Sequence, residues 1–285
     1  MPATAVYELS AMTYRYPEAT AIDGVSLTIR DKERIVVLGA NGSGKSTLLR
    51  LLAGLAFPSG GAAAFCGEAL SEARFADAVF SRSFRRRVGM IFQNPDVQLF
   101  NPTVFDEVAF GPLQLGWTKA EILERVDAQL NALDIFQLKH RSPHRLSGGE
   151  KKRVALASVL VLDPDVLLVD EPTAALDPKS QGYVIDFLFG CEGRKTVITA
   201  THDLSIVEDI AGRCVVLENG RVVGDGTPDT ILHDWDLLQR AHLVHNHRHR
   251  HGSGVVHTHP HLHAAHGHSH PAAPNHRFAI HSNKS

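Results

Sequence analysis

The sequence predicts an α/β fold: a mostly parallel sheet, a small antiparallel sheet at the N-terminus, a helical insertion, and a disordered histidine-rich tail. Three observations predict it. The apolar run Arg34-Ile35-Val36-Val37-Leu38 leads into a glycine-rich loop and then into helical spacing over 45–55. A second apolar strand, Val166-Leu167-Leu168-Val169, ends on Asp170-Glu171, and a long stretch of helical spacing separates the two. Beyond residue 243 the composition turns to His, Pro, Ala, Gly and Ser, with almost nothing to bury.

The elements follow in order. Short β-branched and alternating stretches over 6–29, broken by Pro17 and Gly24, read as the antiparallel sheet. The strand over 34–38 and the helix over 45–55, with Gly54 near its end, flank the glycine loop. Residues 88–92 form another strand, and 103–110, 119–133 and 148–161 carry helical spacing, which places a helical subdomain at about 95–162. Strand and helix then alternate over 166–169, 179–189, 196–200, 204–210 and 214–217. The predicted organisation is one folded unit over 1–243 and a tail over 244–285.

Composition narrows the function. In 285 residues, 44% are hydrophobic and 21% charged, with a formal net charge of -2, so no broad basic field argues for nucleic acid. No apolar run approaches the roughly 18 to 20 residues a membrane-spanning helix needs. The N-terminus shows no basic stretch leading into an apolar one, which makes the cytoplasm the expected compartment. Cys66, Cys191 and Cys214 are scattered, with no metal spacing.

The segment Gly39-Ala40-Asn41-Gly42-Ser43-Gly44-Lys45-Ser46 fits GxxxxGK[ST] between a strand and a helix. Glycines let successive N–H groups turn toward one anion, the helix N-terminus adds partial positive charge, and Lys45 can reach the β and γ phosphates. ATP is the expected ligand, with Mg2+ held by Ser46 and Asp170, and Thr47 completes the loop. Glu171, one residue past Asp170, is placed to activate the attacking water. A second helix start, Leu146-Ser147-Gly148-Gly149-Glu150, offers another anion-binding helix end. The Lys151-Lys152-Arg153 run after it reads as a solvated helix face.

With the LSGG core and the other motifs in the same order, the chain resembles the ATP-binding cassette (ABC) family over about 6–243. The resemblance implies a P-loop NTPase core of the RecA-like kind, a helical signature subdomain, and a head-to-tail pair of ATPase subunits in which Leu146 to Glu150 of one closes over the nucleotide of the other. It also implies that Tyr16 stacks on adenine, that Gln93 senses magnesium and water, that Asp177 joins the subunits, and that His202 contacts the γ phosphate. The one departure is Glu150 where glutamine is commoner.

The stretches Phe92 to Phe100 and Val104 to Pro112 resemble the ATPases of energy-coupling factor importers, which take up vitamins, cobalt or nickel. That resemblance implies an integral-membrane coupling protein docked along 94–110, a substrate-binding membrane component, and a place on the cytoplasmic face of the membrane. Alternating His245, His247, His249 and His251, then His257, His259, His261 and His263, then His266, His268 and His270, suit nickel, cobalt, zinc or copper. Together they favour nickel or cobalt as cargo. A vitamin importer with an incidental tail is the alternative. A nickel metallochaperone NTPase is another, although the chain lacks an NKxD sequence.

Overall fold

The computed structural model describes residues 4–250 and 256–262. The chain opens with β1 (Ala5–Arg15) and β2 (Thr20–Arg30), an antiparallel pair turning at Pro17, followed by β3 (Arg34–Leu38) and α1 (Lys45–Leu52). Next come β4 (Gly60–Phe65), β5 (Glu68–Ala69), α2 (Glu72–Phe75), α3 (Ala78–Arg87) and β6 (Val88–Ile91). The helical insertion holds α4 (Val104–Gln114), α5 (Lys119–Ala132) and α6 (Gly148–Leu160). The alternating part resumes with β7 (Val166–Asp170), α7 (Pro178–Phe189), β8 (Thr196–Thr201), α8 (Val207–Ile210), β9 (Arg213–Glu218) and β10 (Arg221–Gly226). Then follow α9 (Pro228–Leu232), α10 (Trp235–Arg240), β11 (Val244–Arg250) and β12 (Val256–Leu262).

Two sheets carry the fold. The antiparallel one runs β2-β1-β4-β5, and the larger one runs β10-β9-β3-β8-β7-β6, parallel except at the β10 edge. β7 and β8 are buried at every residue and β3 at all but Arg34, because both faces of this sheet are covered. Side chains alternate between two cores. Ile35, Val37, Leu168 and Ile198 pack with Leu48 and Leu52 of α1 and with Tyr7, Met12 and Ile29 of the small sheet. Val36, Leu38, Leu167 and Val169 pack with Val154 of α6, Val108 of α4, Val126 of α5 and Val184 of α7. Each such fully buried side chain contributes about 1.5–3 kcal/mol relative to exposure.

The helices start where their caps dictate. Thr103 accepts from Asp106 N–H at the start of α4, while Thr118 with Glu121 and Ser147 with Glu150 form reciprocal capping boxes on α5 and α6. α4 runs on to Gln114 through Pro112, past the expected end near residue 110.

Several stretches depart from expectation, β10, α9 and α10 after residue 217 among them. β4 and β5 form from Gly60-Gly61-Ala62-Ala63-Ala64-Phe65 and the residues after it, although alanine and glycine disfavour strands. The β1 register (Tyr7 with Phe65, Leu9 with Ala63) holds them there. The short α2 and the arginine-rich α3 were also not expected. Finally, no element was expected after residue 243, yet the backbone pairs β11 with β12, His245 opposite His261, His247 opposite His259 and His249 opposite His257. The strict alternation in both segments has the period of a strand. His251, His263, His266, His268 and His270 lie outside the described residues.

Because β3, β6, β7 and β8 are parallel, their carboxyl ends share one edge. That edge receives the glycine loop, Gln93, Asp170-Glu171 and His202.

Candidate nucleotide-binding site

The glycine loop is fixed by its neighbours. A Cβ on Gly39 would run into Ser43 Oγ and the Leu217 carbonyl, and Gly44, at φ +106°, turns the chain into α1 with its would-be Cβ against the Ala21 carbonyl. Gly44 caps α1 without a side chain, so the first N–H groups of the helix face the loop. Asn41 and Gly42 form the exposed rim, and Ser43, Lys45 and Thr47 are buried. The Lys45 ammonium donates to the Gly39 and Ala40 carbonyls at 2.7 and 3.1 Å. Burial lowers its pKa, against the opposing pull of Glu171 and Asp170.

Across the sheet edge, Asp170 and Glu171 are both 5% exposed, which is unusual for carboxylates and signals partners. Glu171 adopts the left-handed region at φ +43° and its N–H reaches the Ala200 carbonyl, a local cost that turns its side chain back over the edge. Its Oε2 accepts from Thr201 Oγ1 at 3.0 Å, and its Oε1 stands 2.8 Å from His202 Nδ1 and 3.7 Å from the Lys45 ammonium. Burial raises the Asp170 pKa, partly offset by the Ser46 hydroxyl and Lys45.

Two buried polar atoms here have no hydrogen-bond partner among the described residues, Ser43 Oγ and Asp170 Oδ1. Leaving such an atom unpaired costs about 1–3 kcal/mol. A phosphate and a magnesium ion fit them: the hydroxyl, carboxylate and amide set of Ser46, Asp170 and Gln93 is oxygen-only and leaves room for phosphate and water ligands.

The expected residues fall into two groups. Gly39 to Thr47, Asp170, Glu171 and His202 come together. Tyr16 joins them through its hydroxyl, 3.4 Å from Thr47 Oγ1, with its ring edge-on to Tyr14 and partly exposed. Gln93 lies on the same edge, exposed, just past β6, without a hydrogen bond to Lys45, Asp170 or Glu171. Leu146, Ser147, Gly148, Gly149 and Glu150 gather elsewhere in the chain. Ser147 and Gly148 are exposed, and the Glu150 carboxylate accepts from Ser147 N–H at 2.8 Å. Gly149 packs so tightly on the start of α7 that a Cβ would strike Ser180 Oγ, the group that donates to Asp177 Oδ2 at 2.6 Å. Asp177 thereby caps α7 beside the start of α6. No hydrogen bond or ion pair joins residues 147–149 to the glycine loop among the described residues.

The solvated-face reading of Lys151-Lys152-Arg153 is wrong. Lys152 is 2% exposed and donates to the Phe92 carbonyl, Lys151 pairs with Asp96 at 2.7 Å, and Arg153 lies over the Tyr183 ring beside Asp134. Sequence reasoning also missed Gln98, whose side chain bonds Phe92 N–H, the Ala155 carbonyl and Ser158 Oγ. Lys152 lies three and four residues before the buried Ala155 and Leu156 and so shares their face of α6, but the helical period does not by itself say that this face turns inward.

A glycine cradle on a helix start, a buried acid pair at the facing strand end and a histidine on that pair define a P-loop nucleotide hydrolase. Residues 22–174 match the family model described as "ABC transporter". The chain belongs to that family, as one of its ATP-hydrolysing subunits. It is 51% identical over 245 residues to the "Nickel import ATP-binding protein NikO" of Rhodobacter capsulatus, covering 85% of this chain and 96% of that protein. It is 44% identical to the "Energy-coupling factor transporter ATP-binding protein EcfA" of Carboxydothermus hydrogenoformans, covering 83% of this chain and 86% of the relative. Among solved structures, the dimeric post-hydrolysis ATP-binding cassette MJ0796 bound to ADP and Pi superposes with a TM-score of 0.70 at 26% identity, covering 78% of this chain and 98% of that one.

Proposed function

We propose that this chain is the ATPase of an energy-coupling factor importer for nickel or cobalt, working as a head-to-tail pair on the cytoplasmic face of the membrane. The observation that carries it is the split of the site. The cradle and acid pair share one edge, while the exposed Ser147–Gly148 helix end packs against Asp177 and Ser180 and makes no bond to its own cradle. That helix end serves the triphosphate of a second ATPase subunit, with Asp177 at the junction. The nickel-import and energy-coupling factor relatives support the transporter class and cargo. No helix among the described residues is long and apolar enough to cross a membrane, so an integral-membrane coupling protein and a substrate-binding membrane component supply the path.

In this reading the loop N–H groups and Lys45 hold the β and γ phosphates, and Tyr16 lies against adenine. Ser46, Gln93 and Asp170 would hold the magnesium ion, which would supply positive charge against the phosphate oxygens. Glu171 takes the proton of the attacking water through Oε1. The water oxygen bonds to the γ phosphorus as the bond to the bridging oxygen breaks, giving ADP and phosphate. His202, with Nδ1 on Glu171, turns Nε2 toward the γ phosphate. Phe100 and Phe110, partly exposed and edge-on at 5.1 Å, line the groove where the coupling protein docks. The alternating histidines 245, 247 and 249, and 257, 259 and 261, are the imidazole-rich type of segment that suits nickel, cobalt or zinc.

The test is uptake of nickel and of cobalt by cells lacking this protein, restored with the native chain or with Glu171→Gln. The native chain restores uptake of one of the two metals and the variant does not. Uptake of both metals unaffected by loss of the protein rejects the reading.

A further inference from the structure

One turn into α6, Lys152 turns inward and donates to the carbonyl of Phe92, the residue before Gln93, at 3.0 Å. It is one of three ties between α6 and the segment 92–98. At the surface, Lys151 closes on Asp96 at 2.7 Å. Further along α6, Gln98 Nε2 donates to the Ala155 carbonyl at 3.0 Å and to Ser158 Oγ at 3.2 Å, while Gln98 Oε1 accepts from Phe92 N–H at 3.3 Å. Residues 92–98 and α6 are therefore one mechanical unit. Gln93 lies at one end of it, facing the chain's own sheet edge, and Ser147–Gly149 lies at the other.

Lys152 is the buried member of this set. An ammonium has three donors, and one bonded acceptor is recorded for Lys152 among the described residues. A side chain serving only to fill the space would avoid the cost of desolvating a charge. Asp170 and Glu171 both act on this ammonium, favouring its charged form, but burial outweighs them and brings its pKa down to about 8. One side chain of the signature helix is thus in electrostatic contact with the acid pair and in hydrogen-bond contact with the glutamine segment.

We propose that Lys152 is a positioning residue that couples the two nucleotide sites of the pair: it ties residues 92–98 to α6, so that the triphosphate in a subunit's own cradle, sensed through Gln93, sets how Ser147–Gly149 is presented to the partner subunit. This rests on the trans arrangement proposed above. The role belongs to the donating ammonium, since an apolar side chain of equal length would leave the Phe92 carbonyl unpaired and remove a cation that Asp170 and Glu171 favour. The charged groups at that junction are Asp170 at the end of β7 and Glu171 just after it, Lys45 and Arg50 from α1, His202 after β8, and Asp96 with Lys151 at the outer rim.

The experiment is MgATP turnover by the full chain, native and as Lys152→Met, Lys152→Gln, Lys152→Arg and Lys151→Ala, over ATP concentration, with folding followed by thermal melting. Lys152→Met is expected to cut kcat at least about tenfold with KM within about threefold, and to bring the Hill coefficient to about one. Lys151→Ala, which cuts the surface tie, stays within about twofold. Lys152→Arg, which keeps the charge and a donor for the Phe92 carbonyl, is expected to turn over at least about threefold faster than Lys152→Met, a rescue that a merely space-filling side chain would not show.

Lys152→Met turning over within about twofold of the native chain overturns the proposal. So does a folded Lys152→Arg that turns over no faster than Lys152→Met, and if Lys152→Met fails to fold, a folded Lys152→Gln within about twofold of native overturns it instead. Dimerisation of Glu171→Gln with MgATP separates the two readings. If it fails, the trans arrangement has failed; if it succeeds while Lys152→Met keeps native turnover and cooperativity, only the coupling role is wrong.

Discussion

His202 Nδ1 sits 2.8 Å from Glu171 Oε1, and that same oxygen faces the Lys45 ammonium at 3.7 Å. One carboxylate oxygen is thereby shared between a group from the end of β8 and one from the start of α1. This convergence depends on strand order, with β8 lying between β3 and β7.

Glu171→Gln keeps the shape and the Thr201 contact but cannot take a proton. Turnover should fall by about a hundredfold or more while MgATP stays bound. Single-turnover hydrolysis together with retained-nucleotide measurement checks it, and native-rate hydrolysis would remove Glu171 as the base.

Lys45→Met removes the cation that binds the Gly39 and Ala40 carbonyls and stands over Glu171. ATP affinity should drop about tenfold or more if, as proposed, that charge reaches the β and γ phosphates. Equilibrium binding of a fluorescent nucleotide, with folding followed by thermal melting, measures it.

Gly149→Ala should uncouple the signature from the start of α7. The added methyl meets Ser180 Oγ and presses on Asp177. An overpacked contact of this kind costs about 1–3 kcal/mol, and hydrolysis should fall further than stability does, because the displaced group is the helix end proposed to serve the partner subunit. Gly149→Ala turnover equal to native would show that this packing does not matter to the reaction.

The sequence made the motif-bearing edge legible because each motif sits at a strand end that its apolar run announces. Val166 to Val169 read as buried, so Asp170 and Glu171 had to emerge at the sheet edge. Less legible were the contacts that hold these motifs in place. Lys152 stands in a basic run, and its inward turn depends on the phase of α6 against β6 and β7, which pattern alone does not set. Likewise β4 forms on the register of β1 rather than on its own Gly60-Gly61-Ala62 composition.

The cysteines give a check on the cores. Cys66 is exposed, whereas Cys191 and Cys214 are buried, with burial pushing the Cys214 thiol up to about 12. A thiol reagent at neutral pH should modify Cys66 at once and the other two only on unfolding. Rapid reaction of Cys214 in the folded chain would contradict the packing of β9.

The trans arrangement is tested most directly by an experimental structure of Glu171→Gln with MgATP. The expected result is a two-fold pair in which Ser147 and the Gly148–Gly149 amides of each copy meet the γ phosphate seated on Lys45 of the other. A nucleotide-loaded chain whose signature helix end faces solvent, with no second copy over the cradle, would contradict it.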